Sequence, residues 1–67
     1  MTTYSVYIIR DRKAEPQKLF CLDCRTPVCQ FYGKLTKIVA GDGNTTPIVS
    51  EKCRSRDCDA IYNIYNI

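Results

Sequence analysis

The chain has 67 residues, 45% of them apolar and 25% charged, with a formal net charge of +3 and no histidine. That length allows one domain, residues 1–67, whose apolar core is marginal without a disulfide, a metal ion or a partner chain. The composition excludes a disordered tail, and with no apolar run of about 18 residues, no membrane-spanning helix is expected.

The opening Met1-Thr2-Thr3-Tyr4-Ser5-Val6-Tyr7 lacks the basic region and long apolar stretch of a secretory signal. The expected setting is therefore the cytoplasm, where thiols stay reduced. Residues 3–10 are rich in β-branched and aromatic types and read as a strand, with Tyr4, Val6 and Ile8 on one face and Ser5, Tyr7 and Ile9 on the other. Residues 11–17 are polar, carry a proline near their end and read as a loop next to the basic cluster Arg10, Arg12 and Lys13. Lys18-Leu19-Phe20 is a short strand leading into Cys21-Leu22-Asp23-Cys24.

Beyond that turn, residues 25–32 are extended, with Cys29 and Phe31 on one side and Thr26, Val28, Gln30 and Tyr32 on the other. Gly33 suits a bulge or turn. A further extended run covers 34–40, with Leu35, Lys37 and Val39 opposite Thr36 and Ile38. Gly41-Asp42-Gly43-Asn44 is the strongest turn signal in the chain and predicts a hairpin tip. The returning strand is 48–52, entered through Pro47, and it delivers Cys53-Arg54-Ser55-Arg56-Asp57-Cys58. After Asp59 and Ala60, the tandem Ile-Tyr-Asn-Ile-Tyr-Asn-Ile carries no charge and reads as a strand. It is expected to pair with residues 3–10, since on an open edge it would invite a second chain. No stretch has a helical period of useful length.

Five cysteines in a chain without a secretory signal point to metal over disulfides. With histidine absent, zinc held by four thiolates is the natural site, and structural zinc contributes on the order of 10 kcal/mol, comparable with the stability of a domain this small. Cys21, Cys24, Cys53 and Cys58 are the expected ligands of one Zn²⁺, with 28 residues between the two loops. A competing set exchanges Cys21 for Cys29, because Cys24-Arg25-Thr26-Pro27-Val28-Cys29 and Cys53-Arg54-Ser55-Arg56-Asp57-Cys58 look like copies of one element. A tight two-residue knuckle is the commoner device, and Cys29 lies in an alternating strand where a small thiol packs well. Iron remains compatible with four sulfurs.

A Cys-x2-Cys knuckle, a hairpin and a second cysteine loop followed by a strand resemble the zinc ribbon family over residues 19 to 65. The short layout is also similar to small zinc-ribbon proteins of bacteriophages, which would make the setting a host cytoplasm. The resemblance implies a small all-β, metal-stabilised fold: a zinc ribbon with a central β-hairpin and added N- and C-terminal strands. Two departures stand out. The second loop is Cys-x4-Cys, and Arg25 and Asp59 occupy the positions after the second cysteine of each loop where such knuckles often carry glycine.

Four thiolates close a metal site to water, and no histidine-based pair or phosphate-binding glycine loop exists, so no enzyme and no small-molecule substrate are expected. Two functions remain. One is a nucleic-acid-binding, DNA-binding regulatory or replication module using Arg25, Lys34, Lys37, Lys52, Arg54 and Arg56, with a tyrosine stacking on bases. Zinc ribbons being frequent in transcription and replication proteins, the resemblance implies the same. Four thiolates and one dication bring the net charge to about +1, so placement of these cations matters more than their number. The other is a protein-interaction or self-associating module whose terminal strands pair with a partner or form a homodimer, with zinc only as scaffold.

Overall fold

The computed structural model describes residues 2–41, 43 and 46–67. Five strands form one sheet: β1 (Thr3–Arg10), β2 (Pro16–Phe20), β3 (Pro27–Ala40), β4 (Val49–Lys52) and β5 (Ile61–Asn66), in the order β2-β3-β1-β5-β4. No helix occurs among the described residues. The small all-β class stands, and so does the pairing of the two terminal strands.

β1 is apolar on both faces and takes the centre. It runs antiparallel to β3, from Tyr4 opposite Ala40 to Arg10 opposite Gly33, and parallel to β5, with Tyr4 beside Tyr62, Val6 beside Ile64 and Tyr7 beside Tyr65. One face carries the core of Val6, Ile8, Leu19, Val28, Phe31, Ala60, Tyr62 and Ile64. On the other face the rings of Tyr7 and Tyr65 stack at 5.2 Å with the Lys37 ammonium over Tyr7. Gly43 passes so close to Tyr65 that a Cβ there would lie 2.6 Å from the ring. β5 is thus covered on both faces, and Tyr65 is buried.

Three expectations need correction. Pro16 starts β2 instead of ending a loop, which an edge strand tolerates because its first residue need not donate to the ladder. Residues 27–40 are one strand that changes partner at Gly33: its first half pairs with β2 and its second with β1. The central hairpin between 34–40 and 48–52 is replaced. A β3–β4 ladder would leave the doubly apolar β1 on an edge, whereas here β1 pairs with residues 33–40 and β4 pairs with β5. Asp42 and Asn44 of the expected tip lie outside the described residues. The hairpins that do form are β2–β3 and β4–β5, and a cysteine loop closes each.

Bulges shift the expected alternation. Thr36 is the extra residue between the Lys37–Tyr7 and Leu35–Ile8 pairs, and its hydroxyl donates to the Tyr7 carbonyl at 2.8 Å. Leu35 and Lys37 therefore face opposite sides of the sheet. Val28 is likewise extra between the Cys29–Leu19 and Pro27–Phe20 pairs, which lets Val28 join Phe31 in the core.

Gly33 has φ 137°, and a Cβ there would collide with the Ile9 carbonyl oxygen and approach Arg10 Cα to 2.9 Å. Gly33→Ala is expected to destabilise the metal-loaded fold by about 2–4 kcal/mol, through backbone strain and the clash. Denaturant titration with metal in excess measures this.

Candidate metal centre

Each cysteine loop is shaped by its hairpin. In the first, the Cys21 N–H donates to the Thr26 carbonyl at 2.9 Å and the Arg25 N–H to the Cys21 carbonyl at 2.8 Å. In the second, the Cys53 N–H donates to the Ala60 carbonyl at 2.9 Å, and the two additional residues are taken up by a turn in which the Cys58 N–H donates to the Ser55 carbonyl at 3.3 Å. The wider Cys-x4-Cys spacing thus closes as well as the tight one. Arg25 has φ 62°, the left-handed conformation for which glycine is suited and at the position where its absence was noted.

The loops meet because the sheet curls. The Sγ atoms of Cys21, Cys24, Cys53 and Cys58 all lie within 4.8 Å of one another, with 3.5 Å between Cys21 and Cys58 and 3.3 Å between Cys24 and Cys53. A tetrahedral ion with sulfurs at about 2.3 Å requires separations of about 3.8 Å. The set fits a single metal ion in spacing and in donor chemistry. Cys21 and Cys53 are buried, Cys58 is half-buried and Cys24 is exposed.

Backbone donors surround the sulfurs with a repeated rule. Cys21, Cys24, Cys53 and Cys58 accept from the N–H two residues on, at Asp23, Thr26, Ser55 and Ala60, and Cys21 accepts a second from Cys24. Burial alone would raise the Cys21 pKa, but hydrogen bonds from the Tyr62 hydroxyl and these amides bring it down to about 6. Cys58 accepts from Ala60, yet burial and the three neighbouring sulfurs push it up to about 12. Four thiolates this close repel one another, and a dication removes that repulsion.

Outside the four, Cys29 lies on β3 opposite Leu19, half-buried and packed against the core, and its pKa is raised mainly by burial. It does not belong to the cluster. The polar groups around the sulfurs come mostly from distant parts of the chain. The Tyr62 hydroxyl donates to Cys21 Sγ at 3.3 Å and accepts from the Leu22 N–H at 2.8 Å, Tyr4 donates to Asp23 at 2.9 Å, and the Cys24 sulfur and the Thr26 hydroxyl are hydrogen-bonded at 3.3 Å, a contact that lowers the Cys24 pKa. Only Thr26, two residues from Cys24, is close enough in sequence to have been a signal.

The six cations separate into two groups. Arg25, Arg54 and Arg56 lie on the cysteine loops with Lys52 at the end of β4, while Lys34 and Lys37 lie along β3 beside Ile9 and Tyr7 of β1. All six are exposed. Arg54 also shares an opening with Lys18, Pro27 and Gln30 of the first hairpin. In comparison with known proteins, no family model, no curated protein and no solved structure matches the chain.

Serine at any of Cys21, Cys24, Cys53 or Cys58 is expected to abolish stoichiometric metal binding, and Cys29→Ser to leave it intact; elemental analysis of the purified variants reads this out. Loss in Cys29→Ser with retention in Cys21→Ser would reverse the assignment. Metal retention should also depend on pH with a fixed sign. The ordinary thiol value is 9.0, and Cys21 lies well below it in the fold, so its contribution is present at high pH and lost on acidification through about 6. Metal lowers the ligand values further and must compete with protons, so metal release monitored with a chromophoric chelator should begin as the pH falls below about 6.

Proposed function

We propose that this chain is a zinc-stapled module, similar to a zinc ribbon, whose cysteine-loop end binds the backbone of nucleic acid. Zinc is supported by the all-thiolate donor set and by a closed shell of four sulfurs, which suits a structural ion and leaves no position for a catalytic water. The observation that carries the nucleic-acid reading is the convergence of the sulfurs. It draws Arg25 of one loop and Arg54 and Arg56 of the other to one end of the molecule, next to Lys18 and Lys52, and all five are exposed. Phe20 and Leu22 are exposed at the same end, at 49% and 55%, and offer apolar surface to an unstacked base. Asp23 on the first loop accepts a hydrogen bond from the Tyr4 hydroxyl.

Fluorescence anisotropy with single-stranded and duplex oligonucleotides tests this. Binding at about 50 mM salt should fall by orders of magnitude toward about 200 mM, in proportion to the number of phosphates neutralised. Arg54→Ser with Arg56→Ser should lower affinity and reduce the salt slope by about 2, whereas Lys34→Ser with Lys37→Ser should change little. Absence of binding at low salt would refute the proposal.

A second reading, a protein-interaction module, is favoured by one observation. β4 lies at the edge of the sheet with Ile48 and Val49 exposed, beside a cleft floored by Ile8, Phe31 and Ile64. An extended segment of a partner would add there and not at the terminal strands, since β1 and β5 are each paired on both sides. Concentration-independent monomer in sedimentation, with no strand-adding partner recovered by crosslinking at β4, counts against it.

A further inference from the structure

Tyr62 is fully buried at the junction of the sheet and the first cysteine loop, 41 residues from the sulfur it touches. Its hydroxyl is used twice: it accepts from the Leu22 N–H at 2.8 Å and donates to Cys21 Sγ at 3.3 Å. The ring is fixed by its stack on Tyr4, with centroids 5.0 Å apart, and Tyr4 in turn donates to Asp23 of the same loop. The two tyrosines are register partners on the parallel strands β1 and β5. The loop is thereby held by the centre of the sheet as well as by its own hairpin.

We propose that Tyr62 is a positioning residue for the metal, whose hydroxyl fixes the orientation of the Cys21 thiolate and withdraws part of its charge. This rests on the four-cysteine metal reading. A metal-bound thiolate carries excess negative charge in a site shielded from water, and each donor aimed at it is worth more there than on the surface. Cys21 accepts from two backbone amides of its own loop, a pattern local to the knuckle. The Tyr62 hydroxyl is a donor that comes from the sheet and not from either cysteine loop, so it makes the sulfur sensitive to whether β5 is seated beside β1. Metal binding and strand seating support each other through this contact.

Tyr62→Phe keeps the ring and its stack and removes the hydroxyl. The expected result is a folded, metal-loaded chain whose affinity for Zn²⁺ or Co²⁺ is about 10–100-fold weaker in competition with a chelator. In the cobalt-loaded protein the thiolate-to-metal charge-transfer band should move to lower energy, because the sulfur lone pair loses a hydrogen bond. Tyr65→Phe, on the opposite face, should change neither quantity, and Tyr4→Phe should leave the band in place since its hydroxyl does not touch a sulfur. Unchanged affinity and an unchanged band in Tyr62→Phe would overturn the proposal while the wild type still bound metal. Failure of the wild type to bind metal would remove both this proposal and the reading beneath it. Should Tyr62→Phe fail to fold, wild-type protein loaded with an NMR-active cadmium isotope decides. Scalar coupling from cadmium to a protected Tyr62 hydroxyl proton supports the contact, and a rapidly exchanging, uncoupled hydroxyl refutes it.

Discussion

Four sulfurs packed within 4.8 Å of one another impose the constraint on which the rest of this small fold depends. Thiolates at that spacing repel, and thiols at that spacing leave the tips of two hairpins with little to hold them together. A dication bound among them would replace the repulsion with attraction. It acts at the right place. The sheet has open edges at β2 and β4, and the cysteine loops close the hairpins that contain those edge strands. One ion bound there would join the two ends of the strand order, which hydrogen bonding alone leaves apart.

The centre of the sheet is built for the opposite role. β1 and β5 are parallel neighbours paired on both sides, and their register sets Tyr4 against Tyr62 on the core face and Tyr7 against Tyr65 on the other. The first stack reaches the metal loop through Asp23, Leu22 and Cys21. The second lies close to Gly43 and carries Lys37 on its face. A chain of this length buries few large aliphatic side chains, and tyrosine serves here because it supplies area and a polar tip that ends on a specific partner. The same centre explains why the terminal strands are unsuited to adding a partner strand.

Much of this was legible in the residues. The β-branched and aromatic runs at 3–10 and 61–66 announce strands, and an uncharged strand needs a partner, so their pairing follows. The cysteine pattern without histidine limits the donors to sulfur, and the two-residue knuckle distinguishes Cys21 from Cys29. The hairpin at 41–44 was misleading because turn chemistry marks where a chain can reverse and not which strand it will lie beside. The decision belonged to β1, whose two apolar faces require a central position. Alternation was lost at Thr36 and Val28, since a bulge shifts phase by one residue with no compositional mark. The hydrogen bond of Tyr62 was invisible for a further reason: its partner is 41 positions away, and the assembled sheet brings them together.

The central claim is that the ion and the sheet form as one unit. Stepwise removal of metal from the full chain with a high-affinity chelator, followed in parallel by native mass spectrometry and far-ultraviolet circular dichroism, measures this directly. The fold described here predicts one ion per chain, with the sheet signal disappearing in proportion to its loss and returning on re-addition of Zn²⁺. A chain that kept its full sheet signal with no ion bound would contradict it.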